Sequence, residues 1–257
     1  MAKIWIMSDM HCESGEPALA AGSPRPADVD LVIIAGDFHR AAEAVQHARQ
    51  SFPKLPIVMI AGNHEHDQSR MTIDAGLDLM RVAAKAGWDG ASAKTHVLEN
   101  ETVELSLAGE DIRIIGATLW TDFRLFRNFQ KHSNFAESNM PDYVMIRGSN
   151  EDLLTPYETA LRHSESRAYI RDGLQRPFAG KTIVVTHHLP SIRSIPQRYK
   201  TDPLTPAFAS DCSDLLALDA DLWVHGHTRQ LRLFSRTNSH RLQPAWLPHL
   251  DRLHITI

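Results

Sequence analysis

At 257 residues and 43% hydrophobic content, the chain can bury one sizeable core and lies at the upper end for a single domain. Its formal net charge of −4 gives no general pull toward nucleic acid, and the concentrated basic candidates, Arg124, Arg127, Lys131 and Arg147, read more simply as a solvated helix face. No apolar run approaches the roughly 18 residues of a membrane span, Cys12 and Cys212 form no disulfide framework, and the start runs straight into a strand without a leader pattern, so the expectation is a cytoplasmic protein with no membrane partner.

In chain order, Lys3 to Ser8 is a short β-branched run that reads as a buried strand and ends in Asp9-Met10-His11. Pro17 to Asp28 is a Gly/Ala/Pro-rich connection. Leu31 to Ala35 is a second buried run, ending in Gly36-Asp37, and Ala41 to Ser51 has helical spacing. Ile57 to Ala61 ends in Gly62-Asn63-His64-Glu65, and Ile73 to Gly87 reads as an amphipathic helix stopped by glycine. Val97 to Leu98, Val103 to Leu107 and Ile112 to Ala117 look like a run of antiparallel strands with a Gly109-Glu110-Asp111 turn.

From Leu119 to Gln175 the pattern changes, with aromatic and charged residues interleaved before a helix from about Thr155, capped by Thr155-Pro156 with Glu158 following. Phe123, Phe126, Phe129 and Arg127 could contact an organic leaving group, though their spacing favours core. His132 and His163 have no motif around them and read as surface histidines. Thr182 to Thr186 ends in His187-His188, and Leu222 to Val224 in His225-Gly226-His227.

Five strand ends thus offer carboxylate oxygen, amide oxygen and imidazole nitrogen, the donors that divalent first-row cations accept. Each piece alone is unspecific; the order and the setting carry the weight. Together they resemble the signature of the calcineurin-like metallophosphoesterase superfamily: Asp-x-His, Gly-Asp, Gly-Asn-His-Asp/Glu, a lone His, and Gly-His-x-His. The resemblance spans roughly residues 3 to 228. It implies an α/β fold, a four-layer α/β/β/α sandwich of two mixed β-sheets flanked by helices.

The resemblance also implies two divalent metal ions, with Mn, Fe or Zn best suited to the donors. Asp9 and His11 would hold the first metal, Asp37 would bridge both, and Asn63, His187 and His227 would complete the second. His64 would stand outside the coordination shell as the acid. Glu65 would either orient its neighbours or serve as a carboxylate at a helix start. The implied reaction is hydrolysis of small phosphate mono- or diesters by attack of a metal-bridging hydroxide, because two cations about 3.5–4 Å apart activate water and clamp the oxygens of an in-line displacement. Residues 119–175, within a single domain spanning 1–257, would be a helical cap-like insertion and the place to look for substrate selectivity.

The last motif departs from the signature. Gly226-His227-Thr228-Arg229 puts a guanidinium, always charged and without a lone pair, where a histidine ligand of the first metal is expected. The second site (Asp37, Asn63, His187, His227) is therefore better preserved than the first, and His39 is the spare candidate. Residues 229–257 over-use Arg and Leu, as a GC-rich gene read out of frame would. Codons permitted for them regroup to a text that restores the histidine and closes with Asn-Pro-Arg-Gly-Tyr, resembling the end of many bacterial members. We read this atypical tail as frameshifted, with loss of the ordinary last strands; a divergent but genuine terminus, with Arg229 facing solvent or a substrate phosphate, is the other reading. A catalytically impaired or scaffold member of the fold is the alternative to an active hydrolase. A metal-dependent nuclease is the second alternative, which the acidic balance disfavours.

Overall fold

Short runs that are hydrophobic at every position need cover on both faces, and the five β-branched runs obtain it by lying inside a layered stack. The computed structural model describes residues 1–15, 28–67, 71–86, 94–228, 232–236, 242–245 and 252–257. Most of the Pro17 to Asp28 connection, the Gly87 helix stop and Arg229 lie outside the described residues.

In the first sheet β1 (Lys3–Met7), β2 (Leu31–Ala35) and β3 (Ile57–Ile60) run parallel, followed by β4 (Thr95–Val97). The second sheet contains β5 (Glu101–Leu107), β6 (Glu110–Ala117), β7 (Lys181–Thr186), β8 (Leu222–His225), β9 (Arg232–Arg236) and β10 (Leu242–Ala245). Within it β6, β7 and β8 are parallel. Finally β11 (Arg252–Thr256) pairs antiparallel with β1, so both sheets are mixed.

The pleat sorts each strand between two cores. Ile4, Ile6, Ile33 and Ile60 meet Ile114, Ile183, Val185 and Val224 between the sheets. On the outer face Trp5, Met7, Val32, Ile34 and Met59 pack against α1 (Ala41–Ser51) and α2 (Ile73–Ala86) through Val45, Ala48, Leu77 and Met80. The helices α3 (Phe129–Asn139) and α4 (Asp142–Met145) precede α5 (Pro156–Gln175), whose Ile170 and Leu174 cover Val184 and Trp223 on the other outer face. The layers are α/β/β/α, as the motifs implied. Each fully buried Ile, Val or Met contributes about 1.5–3 kcal/mol, so the strand ends carrying the motifs are anchored in the most deeply buried part of the molecule.

Thr155 caps α5 as its sequence foretold, its Oγ1 accepting the Glu158 amide at 3.2 Å with Pro156 in the first turn. Other expectations need correction. β5 and β6 form the antiparallel hairpin, but β4 pairs parallel with β3 in the other sheet. The hairpin turns at Ala108 and Gly109, with φ of 50° and 82°, the left-handed pair that a two-residue connection demands, so Glu110 and Asp111 already belong to β6.

His132 and His163 are buried rather than superficial, because each sits on the inner face of its helix and donates Nδ1–H to a backbone carbonyl, that of Pro203 at 3.0 Å and of Leu119 at 2.9 Å. Arg124, Arg127, Lys131 and Arg147 are exposed, but only Lys131 lies on a helix. The last strands are not lost: residues 232–236 and 252–256 join the two sheets, Leu233 enters the inter-sheet core and Phe234 the outer one. The alternation of apolar and polar residues in 252–256, and adjacent Leu233 and Phe234 giving 232–236 an apolar residue for each face, are sufficient for that pairing, whatever the origin of the segment.

Candidate metal centre

The parallel strands β1, β2 and β3 of one sheet and β7 and β8 of the other deliver their carboxyl ends to one place, where loops leave the sheets. The backbone there is strained. Asp9, His11, Asp37 and His227 have φ of 56°, 46°, 52° and 68°, a region that costs a residue with a side chain about 1–3 kcal/mol and clusters at functional sites. Bonds between loops hold it: the Asp9 amide donates to the Gly36 carbonyl at 3.1 Å and that of His11 to the Asp37 carbonyl at 3.0 Å. Two motif glycines are explained by close approach. A Cβ at Gly62 would strike Asp37 Oδ1, and one at Gly226 would strike Ser8 Oγ and lie 2.5 Å from Asp9 Oδ2.

Asp37 occupies the middle and is 2% exposed. Its Oδ1 accepts the His64 amide at 3.0 Å, while Oδ2 lies 3.1 Å from His187 Nε2 and 3.9 Å from His11 Nε2. His227 Nδ1 is 3.1 Å from the same His187 Nε2. Two compact donor groups therefore share Asp37. They are His11, Asp37 and His64, and Asp37, His187 and His227, with the donor atoms of each group within 4.8 Å of one another. Asp9 lies beside them, its Oδ2 accepting the His227 amide at 3.1 Å. Asn63 is buried, with Nδ2 donating to Asp142 Oδ1 at 3.3 Å and Oδ1 lacking any hydrogen-bond partner.

This chemistry fits a cation. His187 Nδ1 donates to the Ala35 carbonyl at 2.9 Å, so the neutral ring turns a lone pair on Nε2 toward a carboxylate that is itself an acceptor. Two acceptors at that distance repel unless a proton or a metal lies between them. With a proton there, burial would lower His187, but the Asp37 carboxylate outweighs it and pushes the imidazolium up to about 10. Burial likewise opposes ionisation of Asp37, yet His187 and its neighbours hold that carboxyl well below the usual range. His227 is kept neutral by burial and by the adjacent His188 and His187 rings, leaving its lone pair available. The Asn63 amide oxygen, buried without a partner, is a further donor of the kind that Mn, Fe or Zn accepts.

Glu65 and two residues that the motifs did not include, Glu13 and Asp142, organise the centre. Glu13 Oε1 is 2.9 Å from His11 Nδ1 and 3.5 Å from His64 Nδ1, the carboxylate–histidine arrangement that orients rings at metal sites. Burial works against the Glu13 charge, but hydrogen bonds from His11 and His64 bring its carboxyl down to about 2. In His64 burial is outweighed by the bond to Glu13 and by Asp37, which push the ring up to about 9. Glu65 is fully buried and accepts three backbone amides, Asp37 at 2.9 Å, Gly62 at 2.6 Å and Phe38 at 2.8 Å, so it ties two motif loops together rather than serving a helix start. The third is Asp142 on α4. Glu13 had one sequence signal, its place two residues past His11; Asp142 had none.

His39 is turned along α1 instead, with Nδ1 3.2 Å from Glu43 Oε2 and its ring 4.4 Å from that of His47, and it joins neither donor group. His225 Nε2 meets Ser194 Oγ at 2.8 Å, a packing role. His188 lies with its ring 4.0 Å from that of His227 and 5.1 Å from that of Trp120, kept neutral first by burial and then by the charge on His187.

The family described as calcineurin-like phosphoesterase matches residues 2–230. The chain belongs to that family. Among solved structures, this calcineurin-like phosphoesterase is similar to a phosphopantetheinyl hydrolase from Mycobacterium tuberculosis, at 18% identity and a TM-score of 0.57 over 83% of this chain and 77% of that one. A 5′-nucleotidase precursor from Thermus thermophilus is 16% identical over 72% of this chain and 37% of its own, with a TM-score of 0.35. No curated protein matches the sequence. Among the described residues of this family member, no helix is long and apolar enough to cross a membrane.

Proposed function

We propose that this chain is a metal-dependent phosphoesterase that hydrolyses small phosphate mono- or diesters. The observation that carries the reading is the convergence on Asp37 Oδ2 of two ring nitrogens, His187 Nε2 at 3.1 Å and His11 Nε2 at 3.9 Å, with His227 Nδ1 directly beyond. Asp9, His11 and Asp37 would hold a first cation, and Asp37, Asn63, His187 and His227 a second. Two divalent cations, when bound, supply a nucleophile from water at neutral pH and a sink for phosphoryl charge.

The chain's own residues do the rest. The Asp37 carboxylate, fixed by the His64 amide and by Glu65 beneath its backbone, places its free oxygen at the junction of both donor groups. His64, held through Nδ1 by Glu13, retains a proton on Nε2 that it hands to the departing alkoxide oxygen, ordinary general-acid chemistry for imidazole. Residues 119–175 reach the centre through Asp142 on α4, which supports their reading as a cap-like insertion.

The test is turnover of bis(4-nitrophenyl) phosphate at saturating Mn²⁺. Activity that falls at least about 100-fold in Asp37→Asn is expected, and undiminished activity in that variant sinks the reading. Arg229 supports a second reading, an impaired member of the fold; a silent wild type with an active Arg229→His variant would favour it. The frameshifted origin of residues 229–257 stays part of that second reading, and an intact reading frame in freshly sequenced coding DNA would remove it.

A further inference from the structure

A pocket of about 380 Å³ opens beside His227, at the low end of the roughly 300–1,000 Å³ typical of small-molecule sites. It is far larger than a phosphoryl group requires. Its wall comes from the segment between β7 and β8: Ile195, Pro196, Tyr199, Leu204 and Phe208, with Arg198 alongside. The Phe208 ring lies 4.7 Å from that of His227, so the apolar wall begins at a ring whose Nδ1 faces the donor cluster. Tyr199 is half-exposed, and the Arg198 guanidinium stands 4.7 Å over its ring.

This wall is pre-formed. Phe208 closes the short helix α6 (Thr205–Phe208) and its carbonyl accepts the Leu189 amide at 3.1 Å. Asp202 Oδ1 caps the Leu204 amide at 2.8 Å, and the Pro203 carbonyl accepts His132 Nδ1 at 3.0 Å. The aromatic residues of the insertion do not compete for the role. Phe123 is fully buried against Phe129, and Phe126 packs on His132.

The Ile195, Pro196, Leu204 and Phe208 side chains offer no hydrogen bonds, so the part of a ligand lying on them is itself apolar; Asp202, Thr205 and Thr228 put polar groups on the same lining, and two rings plus a guanidinium favour a flat ligand. Resting on the phosphoesterase reading, we propose that this pocket receives the organic half of the substrate, and that the substrate class is phosphate esters of alcohols carrying an aromatic ring.

Calorimetric titration of manganese-supplemented protein with 1-naphthylmethylphosphonate and with methylphosphonate tests this without turnover, since a carbon–phosphorus bond replaces the scissile ester. The naphthyl compound is expected to bind at least about tenfold tighter, the equivalent of one added tenfold step in affinity. Leu204→Trp fills the pocket and Tyr199→Ala strips an exposed wall residue; a fall of the preference to within about threefold in either supports the pocket. Being a ratio within one protein, it is insensitive to the folded fraction. Equal affinities in the wild type, no binding of the naphthyl compound, or a preference unchanged in both variants overturns it. Asp37→Asn separates the two claims: loss of both ligands fits a phosphoryl end at the centre, whereas intact naphthyl binding there keeps the pocket and overturns the phosphoesterase reading.

Discussion

Asp142 Oδ1 accepts a hydrogen bond from Asn63 Nδ2 at 3.3 Å, and that contact fixes which end of the carboxamide is engaged and which is left over. The amide oxygen is left buried and unpartnered, the acceptor that the proposed second site would use. Removing the acceptor should let the amide rotate. Asp142→Ala is expected to weaken manganese binding at the second site by about 10- to 100-fold, the usual effect of losing an orienting partner. Asp142→Asn, which keeps a carbonyl oxygen, should lose less. Titration calorimetry checks both, and an unaltered affinity in Asp142→Ala would mean that Asn63 is held by something else.

Glu13 is the shared acceptor of His11 Nδ1 and His64 Nδ1. Its bond to His64 helps to hold that ring protonated, up to about 9, against the opposing effect of burial. Glu13→Gln removes the negative charge, so His64 should give up its proton at lower pH. If His64 is the acid, the alkaline limb of kcat/KM moves toward neutrality and the rate at pH 8 falls by about tenfold. A profile that keeps its alkaline limb in place would exclude His64 from that role.

Much of this was legible in the chain. The strands and the five motifs announced themselves because a run buried on both faces has no polar positions, so the first polar residue marks where the sheet ends. What stayed hidden depended on contacts distant in sequence. Asp142 meets Asn63 from a helix with no motif of its own, and Glu65 accepts amides from the Asp37 loop as well as from Gly62. Helical histidines misled for the same reason: His132 and His163 find their carbonyl partners on other segments, and spacing alone does not reveal that. The parallel pairing of β4 with β3 was equally invisible, since a three-residue run carries no direction.

His163 gives a pH signature remote from the centre. Burial holds its ring below the ordinary 6.5, neutral and donating to the Leu119 carbonyl at 2.9 Å. As pH falls below about 6.5 the unfolded chain binds this proton before the folded one, so its contribution is complete above that pH and is lost progressively below it. Stability of the wild type should therefore drop between pH 7.5 and 5.5, and His163→Gln should shrink the drop. Urea midpoints at the two pH values decide; an equal drop in both proteins would contradict the assignment.

By the motif order, Arg229 stands at the sequence position where the resemblance implies a histidine ligand of the proposed first metal, and a guanidinium has no lone pair to offer. Arg229→His is expected to raise first-site occupancy and activity together, by about tenfold or more in affinity for the weaker ion. A second binding step that stays as weak as in the wild type, read by competition with a metal-sensitive dye, would show that the lesion lies elsewhere in the tail.

The most direct measurement is manganese per chain by elemental mass spectrometry, after reloading and removal of loosely held ion, for the wild type and for Asp37→Asn. On the proposal that the second site is the better preserved, the wild type should retain about one tightly bound ion and the variant essentially none, because both donor groups lose their common carboxylate. A wild type that retains no metal, or an Asp37→Asn variant that retains as much as the wild type, would contradict the account.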